Sequence, residues 1–165
     1  MPSKEIGLEF PLHNWVGTEE GLTLFKEGAV LVIKSKNGLR NQRIKSIQVD
    51  QSQSVWIGTQ AGLGEIILSS FEKETYDIFW YDDQNGLSNN RIRCLYKDAS
   101  EAIWMGTYLG GVNRLFNQSF VMYTRQNGLL DNVITALNWN KKDSVLWIGS
   151  LDKGIEVRSV SGVSV

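Results

Sequence analysis

A hydrolytic or acyl-transfer site needs a nucleophile beside a base. His13 is the single histidine of the chain. It stands two residues before Trp15 and reads as a turn residue, not as the base of a triad. No Gly-x-Ser-x-Gly elbow and no phosphate-cradling Gly-x-x-x-x-Gly-Lys run is present. "GLGEI" at Gly62 sits in a strand-like stretch with no helix after it, which is a poor dinucleotide signal. Cys94 is the only cysteine, so a disulfide within the chain is impossible and a thiolate zinc site is disfavoured. It lies in the short run "RIRCLYK" and reads as strand filler. The acidic pairs Glu19–Glu20 and Asp82–Asp83 have the right groups for acid/base work or for a hard cation. Both read better as solvated turns. These residues predict no catalytic residue, no metal, no cofactor and no enzyme activity.

A second group of side chains suits recognition instead. Amide, guanidinium and aromatic groups fit hydroxyl-rich or anionic ligands. Tyr108, Arg91, Asp152, Gln60, Arg43 and Asn90 are the candidates, and the elements that would bring them together come from a repeat.

The tetrad Trp, aliphatic, Gly, Thr or Ser occurs four times, at "WVGT", "WIGT", "WMGT" and "WIGS". Its tryptophans, Trp15, Trp56, Trp104 and Trp147, are 41, 48 and 43 residues apart. Asn-Gly-Leu recurs in the same phase, beginning at Asn37, Asn85 and Asn127. Ile44 and Ile47, Ile92 and Leu95, and Ile134 and Leu137 follow it in register. Regular self-similarity at this period indicates a repeat architecture.

The second unit parses as four strands: "RIKSIQV", "VWIGT", "LGEIIL" and "IFWYD", with "SSFEKETYD" as a longer loop before the last. In a strand, Trp56 and Gly58 share one side while Ile57 and Thr59 share the other. Trp supplies an apolar plate, and Gly beside it lets a neighbouring sheet come close. The motif tryptophans are therefore expected in the core. Four-stranded units of 40 to 50 residues indicate a β-propeller.

The chain is thus expected to be all-β, with about four four-stranded blades in one domain over residues 1–165. The blades are expected at about 1–36, 37–84, 85–126 and 127–165. Ile6 would begin the first blade, and a weak last strand would lie around Ser161 to Val165. A lone four-bladed ring, a two-chain eight-bladed ring and a piece of a longer propeller all satisfy the count. An open arc would expose apolar faces at both ends, so self-association as a homodimer, or truncation, is favoured over a lone ring.

In such a propeller the linkers between blades and the turns between second and third strands share one face. That face would carry Gln42, Arg43, Asn90, Arg91, Asn132, Gln60, Tyr108 and Asp152. Gln42, Asn90 and Asn132 recur in register and could simply brace the linker backbone. Val133 replaces Arg43 and Arg91 in the last unit, and Tyr108 and Asp152 do not recur. These variable positions are the better ligand candidates.

Composition narrows the partners. The 165 residues are 42% hydrophobic and 21% charged, with 17 basic against 18 acidic residues. A net charge of −1 gives no footprint for nucleic acid. No stretch approaches the ~20 apolar residues of a membrane span. "MPSKEIGLEF" lacks the apolar run of a signal peptide, so no export signal is expected from it.

The run "NGLSNNRIRCLYKDASEAIWMGTYLGGVNRLF" of the third unit resembles the two-component regulator propeller repeat nearly throughout. The second unit is similar with a one-residue deletion, and the first only from "NWVGT" on. The resemblance implies a bladed propeller of the kind found in extracytoplasmic sensor portions of bacterial hybrid histidine kinases. It implies a periplasmic or extracellular location and a carbohydrate or small-metabolite ligand. The family's usual rings have seven blades. The function expected is a non-catalytic module for ligand sensing or protein interaction. The alternatives are a scaffold with no small ligand and, further off, a propeller lyase, which would need a histidine and a divalent cation.

Overall fold

The computed structural model describes residues 14–159. His13, the strand expected near Ile6 and the strand expected at Ser161 to Val165 lie outside the described residues. The rest forms four antiparallel sheets, each a meander. Blade 1 holds β1 (Asn14–Gly17), β2 (Leu22–Lys26) and β3 (Ala29–Ile33). Blade 2 holds β4 (Ser46–Val49), β5 (Val55–Thr59), β6 (Gly62–Ser70) and β7 (Thr75–Tyr81). Blade 3 holds β8 (Ile92–Lys97), β9 (Ile103–Thr107), β10 (Val112–Phe116) and β11 (Ser119–Tyr123). Blade 4 holds β12 (Ile134–Asn140), β13 (Val145–Ser150) and β14 (Ile155–Ser159). Strand order within each sheet follows the sequence. The all-β, bladed architecture expected from the repeat is the one observed.

Each linker turns through the Asn-Gly-Leu marker. Residues Ser35–Asn37 and Arg125–Asn127 form single 3-10 turns ending on Gly38 and Gly128, both at positive φ. The asparagine acts as a clamp: Asp82 N donates to Asn85 Oδ1 at 2.6 Å, and Asn85 Nδ2 donates to the Trp80 carbonyl at 3.0 Å. Asn127 repeats both bonds with Thr124 and Met122.

The unit-two parse needs one correction. β6 runs on to Ser70 and β7 begins at Thr75, so the connection is a tight turn and not a long loop. Ile66 pairs with Ile78 and Leu68 with Tyr76, and the ladder persists past a bulge between Leu68 and Ser70. The polar residues that looked like loop are the solvent end of two long strands.

The core lies between blades. Leu22, Leu24, Leu31 and Ile33 of blade 1 pack on Val55, Ile57 and Ile66 of blade 2. Trp56 and Leu63 of blade 2 pack on Ile92, Leu95, Ile103 and Met105 of blade 3. Trp104 and Val112 pack on Ile134, Leu146 and Ile148 of blade 4. The second strand of a blade thus points its tryptophan forward and its flanking aliphatic residues back. The adjacent glycine receives a knob: a Cβ on Gly58 would lie 2.6 Å from Ile92 Cγ2, and one on Gly106 2.6 Å from Ile134 Cγ2.

Tryptophan burial follows this rule. Trp104 is fully buried and Trp56 nearly so, but Trp147 is 42% exposed. The expectation of a core position fails for Trp147, because among the described residues no sheet lies against its forward face. The two buried indoles are also held by carboxylates. Trp56 Nε1 donates to Asp50 Oδ2 at 2.9 Å, and Trp104 Nε1 to Asp98 Oδ2 at 2.7 Å. The other oxygen of each carboxylate accepts from the turn backbone, at Ser54 N and Ala102 N. A buried indole N–H needs such a partner.

Candidate functional site

The threonine that ends each motif fixes the turn after it. Thr59 and Thr107 are fully buried. Their hydroxyls donate to the Gly62 and Gly111 carbonyls, each at 2.9 Å. These bonds set the stems of the turns that present Gln60 and Tyr108. The Thr107 bond spans four residues where the Thr59 bond spans three, so the blade 3 turn is one residue longer.

The linkers approach these turns from the next blade. In each linker an Asx turn shapes the backbone: Arg43 N donates to Asn41 Oδ1, Arg91 N to Asn89 Oδ1 and Val133 N to Asp131 Oδ1. The Tyr108 N–H then donates to the Arg91 carbonyl at 2.8 Å, which ties turn to linker. Asn90 Oδ1 accepts from Asp83 N at 2.7 Å, and its carbonyl accepts from Gly62 N at 2.9 Å. Asn132 makes the same pair of bonds with Arg125 and Gly111. These two amides brace the linker.

Between these turns lies a recess of about 460 Å³, lined by Lys45, Gln60, Arg91, Ile92, Arg93, Tyr108 and Thr135. Three of the lining side chains are cationic and none is acidic. The Arg91 guanidinium lies over the Tyr108 ring, 5.1 Å from its centroid, and Arg93 stands 5.7 Å from the same centroid. Neither arginine forms an ion pair among the described residues. Lys45 is drawn toward Glu19 at 3.5 Å, a loose contact between partly exposed groups.

Three of the sequence candidates, Gln60, Arg91 and Tyr108, are brought together here. Arg43 is directed to Glu19, 3.7 Å away, and Asn90 is occupied in bracing. Asp152 lies exposed in the turn after β13, outside the recess. Lys45, Arg93 and Thr135 escaped the sequence reading. A signal for two of them was present: in "RIK" and "RIR" the outer residues share the side opposite the buried isoleucine, so each linker arginine has a cation beside it.

One acid of each acidic pair meets a cation. Asp82 accepts from Arg40 at 2.7 Å, and this bond holds its carboxyl below the usual range. Glu19 faces Lys45 and Arg43. Among the described residues no cluster of three or more His, Cys, Asp or Glu side chains is placed to hold a metal ion. Burial pushes the Cys94 thiol up to about 11, against weaker opposing effects from the Gly106 backbone and Arg93.

Residues 86–109 match the family described as two component regulator propeller. The resemblance read from the third unit is therefore sound. A 48-residue stretch is 40% identical to Histidine kinase P4 of Formosa agariphila, covering 28% of this chain and 4% of that protein. Among solved structures, the extracellular domain of BT4673 from B. thetaiotaomicron, assigned to a hybrid two component system, aligns with a TM-score of 0.69. That alignment has 19% identity and covers 90% of this chain and 23% of the other. The BT3049 extracellular domain of the same organism gives 0.63 at 20% identity, over 90% and 25% of the two chains. PorZ, a surface component of the type-IX secretion system of Porphyromonas gingivalis, gives 0.67 at 16% identity, over 87% and 23%. At these identities the likeness is one of fold.

Proposed function

We propose that this chain is a non-catalytic propeller module that recognises a small anionic ligand, such as an acidic sugar fragment, in the recess lined by blades 2, 3 and 4. It would act as part of an extracytoplasmic sensor. One observation carries the reading: Arg91 and Arg93 converge on the Tyr108 ring in a recess with no acidic lining residue. A guanidinium gives a carboxylate or sulfate two parallel donors, and an aromatic face packs on a sugar ring. The similarity of the fold to extracellular domains assigned to hybrid two component systems supports a sensing role outside the cytoplasm.

The test is isothermal titration with digalacturonate, with maltose as the uncharged control. Digalacturonate is expected to bind saturably and more weakly as salt rises. Arg91→Ala and Tyr108→Ala are each expected to weaken binding at least tenfold, and Asp152→Ala to leave it unchanged. Maltose binding that Arg91→Ala does not alter would overturn the anionic reading. Absence of binding across acidic and neutral sugars alike would favour a scaffold with no small ligand.

A further inference from the structure

At one end of β9, Thr107 leads into the turn that carries Tyr108. At the other end lies a second recess, of about 250 Å³, between blades 2 and 3. The turn from β8 to β9 and the turn from β10 to β11 border it through Ser100, Glu101, Asn117 and Gln118. Its apolar wall is Trp56 of blade 2 with Ile103 and Leu115 of blade 3. Glu65 and Tyr81 complete the blade 2 side. The Tyr81 ring stacks on Trp56, with centroids 5.9 Å apart.

The two lining acids differ in how their charge is met. Lys97 Nζ donates to both oxygens of Glu101, at 2.9 and 3.0 Å. Gln51 N of blade 2 donates to Glu101 Oε2 at 3.0 Å. Glu101 is thus paired, and it ties the rims of the two blades together. Glu65 forms no ion pair among the described residues. Its Oε2 accepts from the Tyr81 hydroxyl at 3.1 Å. Burial raises its carboxyl, and the negative charge of Asp50, which holds the Trp56 indole, pushes the same way.

The propeller does not need an acid at this position. Glu65 pairs across the ladder with Trp56. The residues paired with Trp15, Trp104 and Trp147 are Leu24, Arg114 and Val157. Leu24 is fully buried, so an apolar side chain satisfies the place. A partly buried carboxylate without a cation costs stability, and binding sites are where such a cost is repaid. Stacked aromatic rings beside an uncompensated carboxylate suit a cation. The side-chain carbonyls of Asn117 and Gln118 add acceptors at the mouth. The volume limits the occupant to a small molecule. We propose that this recess binds a small organic cation, a protonated primary amine with an apolar body. Its ammonium meets Glu65, and its body lies against Trp56 and Ile103. The site is separate from the one around Arg91 and Tyr108 and takes the opposite charge.

Titration of the nitrogen-15-labelled chain with phenethylammonium at neutral pH tests this, read at the Trp56 indole N–H resonance. Its uncharged analogue 2-phenylethanol is the control. Phenethylammonium is expected to shift the resonance saturably, and 2-phenylethanol to shift it much less at equal concentration. Glu65→Gln keeps the size of the side chain and an acceptor for Tyr81. It is expected to weaken amine binding at least about tenfold, the loss of one charge-assisted hydrogen bond. Arg91→Ala is expected to leave amine binding unchanged, and digalacturonate to leave the Trp56 resonance in place. Failure of the acidic-sugar reading therefore does not touch this one. No saturable shift with phenethylammonium overturns the proposal. So does equal binding of 2-phenylethanol, which would make the recess merely apolar. Amine binding that survives Glu65→Gln, or that Arg91→Ala abolishes, would also overturn it, since the ammonium would then sit elsewhere.

Discussion

Gly106→Ala isolates what the glycine of the motif does. Gly106 has no unusual φ, so alanine meets no backbone penalty there. Space is the whole issue: the added Cβ would lie 2.5 Å from Cys94 Sγ and 2.6 Å from Ile134 Cγ2. Ordinary carbon–carbon contact is 3.5–4.0 Å, so Cys94 must turn aside within blade 3, and blade 4 must shift outward by about 1 Å or Ile134 must leave its rotamer. Overpacking of this kind costs about 1–3 kcal/mol. For a chain of this size that lowers Tm by about 2–12 °C. Gly149→Ala is the matched control, in the same motif and the same strand position, with its nearest neighbour at 3.3 Å. It is expected to be neutral or to stabilise by up to about 1 kcal/mol, because alanine loses less backbone entropy than glycine. Urea unfolding gives both values. In a double-mutant cycle, Ile134→Ala should cost at least about 1 kcal/mol less in the Gly106→Ala background than in the wild type. Equal effects of Gly106→Ala and Gly149→Ala would refute the knob-and-notch account of blade packing.

Three further outcomes follow from single side chains. Asp98→Ala removes the acceptor of the Trp104 indole, the Ala102 amide and the Ser100 amide. It is expected to cost about 2–4 kcal/mol in urea unfolding, with Asp98→Asn costing less. Cys94, with its thiol pushed up to about 11, is expected to resist an aromatic disulfide reagent at pH 7.5 and to react once urea unfolds the chain. Burial raises the Glu65 carboxyl, and the hydrogen bond it accepts from Tyr81 opposes this only in part. A folded-state value above the unfolded one means that the charged form disfavours folding at neutral pH. Glu65→Gln is therefore expected to raise Tm slightly at pH 7, and the difference should vanish as pH falls to the ordinary value near 4.5. A gap that widened in acid would contradict that sign.

The blades were legible because their packing rules are local. Trp56, Ile57, Gly58 and Thr59 declare by alternation which side meets which neighbour, and all four proved buried. The end of β6 was not legible, because "LSSFEKETY" alternates no better as strand than as loop, and its ladder depends on β7 finding it. Trp147 was misjudged for a related reason. The sequence of a strand states which face is apolar but not whether a sheet lies against it. Half of the recess was legible from the turns and linkers. Lys45, just before β4, and Arg93, just inside β8, were missed because each follows a core isoleucine, where a cation reads as solvent face. The carboxylate clamp of Asp50 and Asp98 on the tryptophans was also missed, although its spacing of six residues is the same in both blades.

The repeat also separates structural duty from the remainder. Asn85 and Asn127 clamp linkers, Asn89 and Asp131 shape Asx turns, Asn90 and Asn132 brace, and Thr59 and Thr107 close turns. In each pair the blades agree, and each hydrogen bond explains why. The recess residues behave differently. Gln60 and Tyr108 occupy one repeat position, where blade 1 has Glu19 and blade 4 has Leu151. Arg43 and Arg91 occupy another, where blade 4 has Val133, and Lys45 and Arg93 a third, where blade 4 has Thr135. A scaffold that folds equally with glutamate, glutamine, tyrosine or leucine at one position imposes nothing there. An arginine, a second arginine and a tyrosine come together in blade 3 alone among the blades described, and no packing need of the propeller accounts for the combination. Where the copies agree, the residues build blades; where they diverge around Tyr108, the chain has room for a ligand.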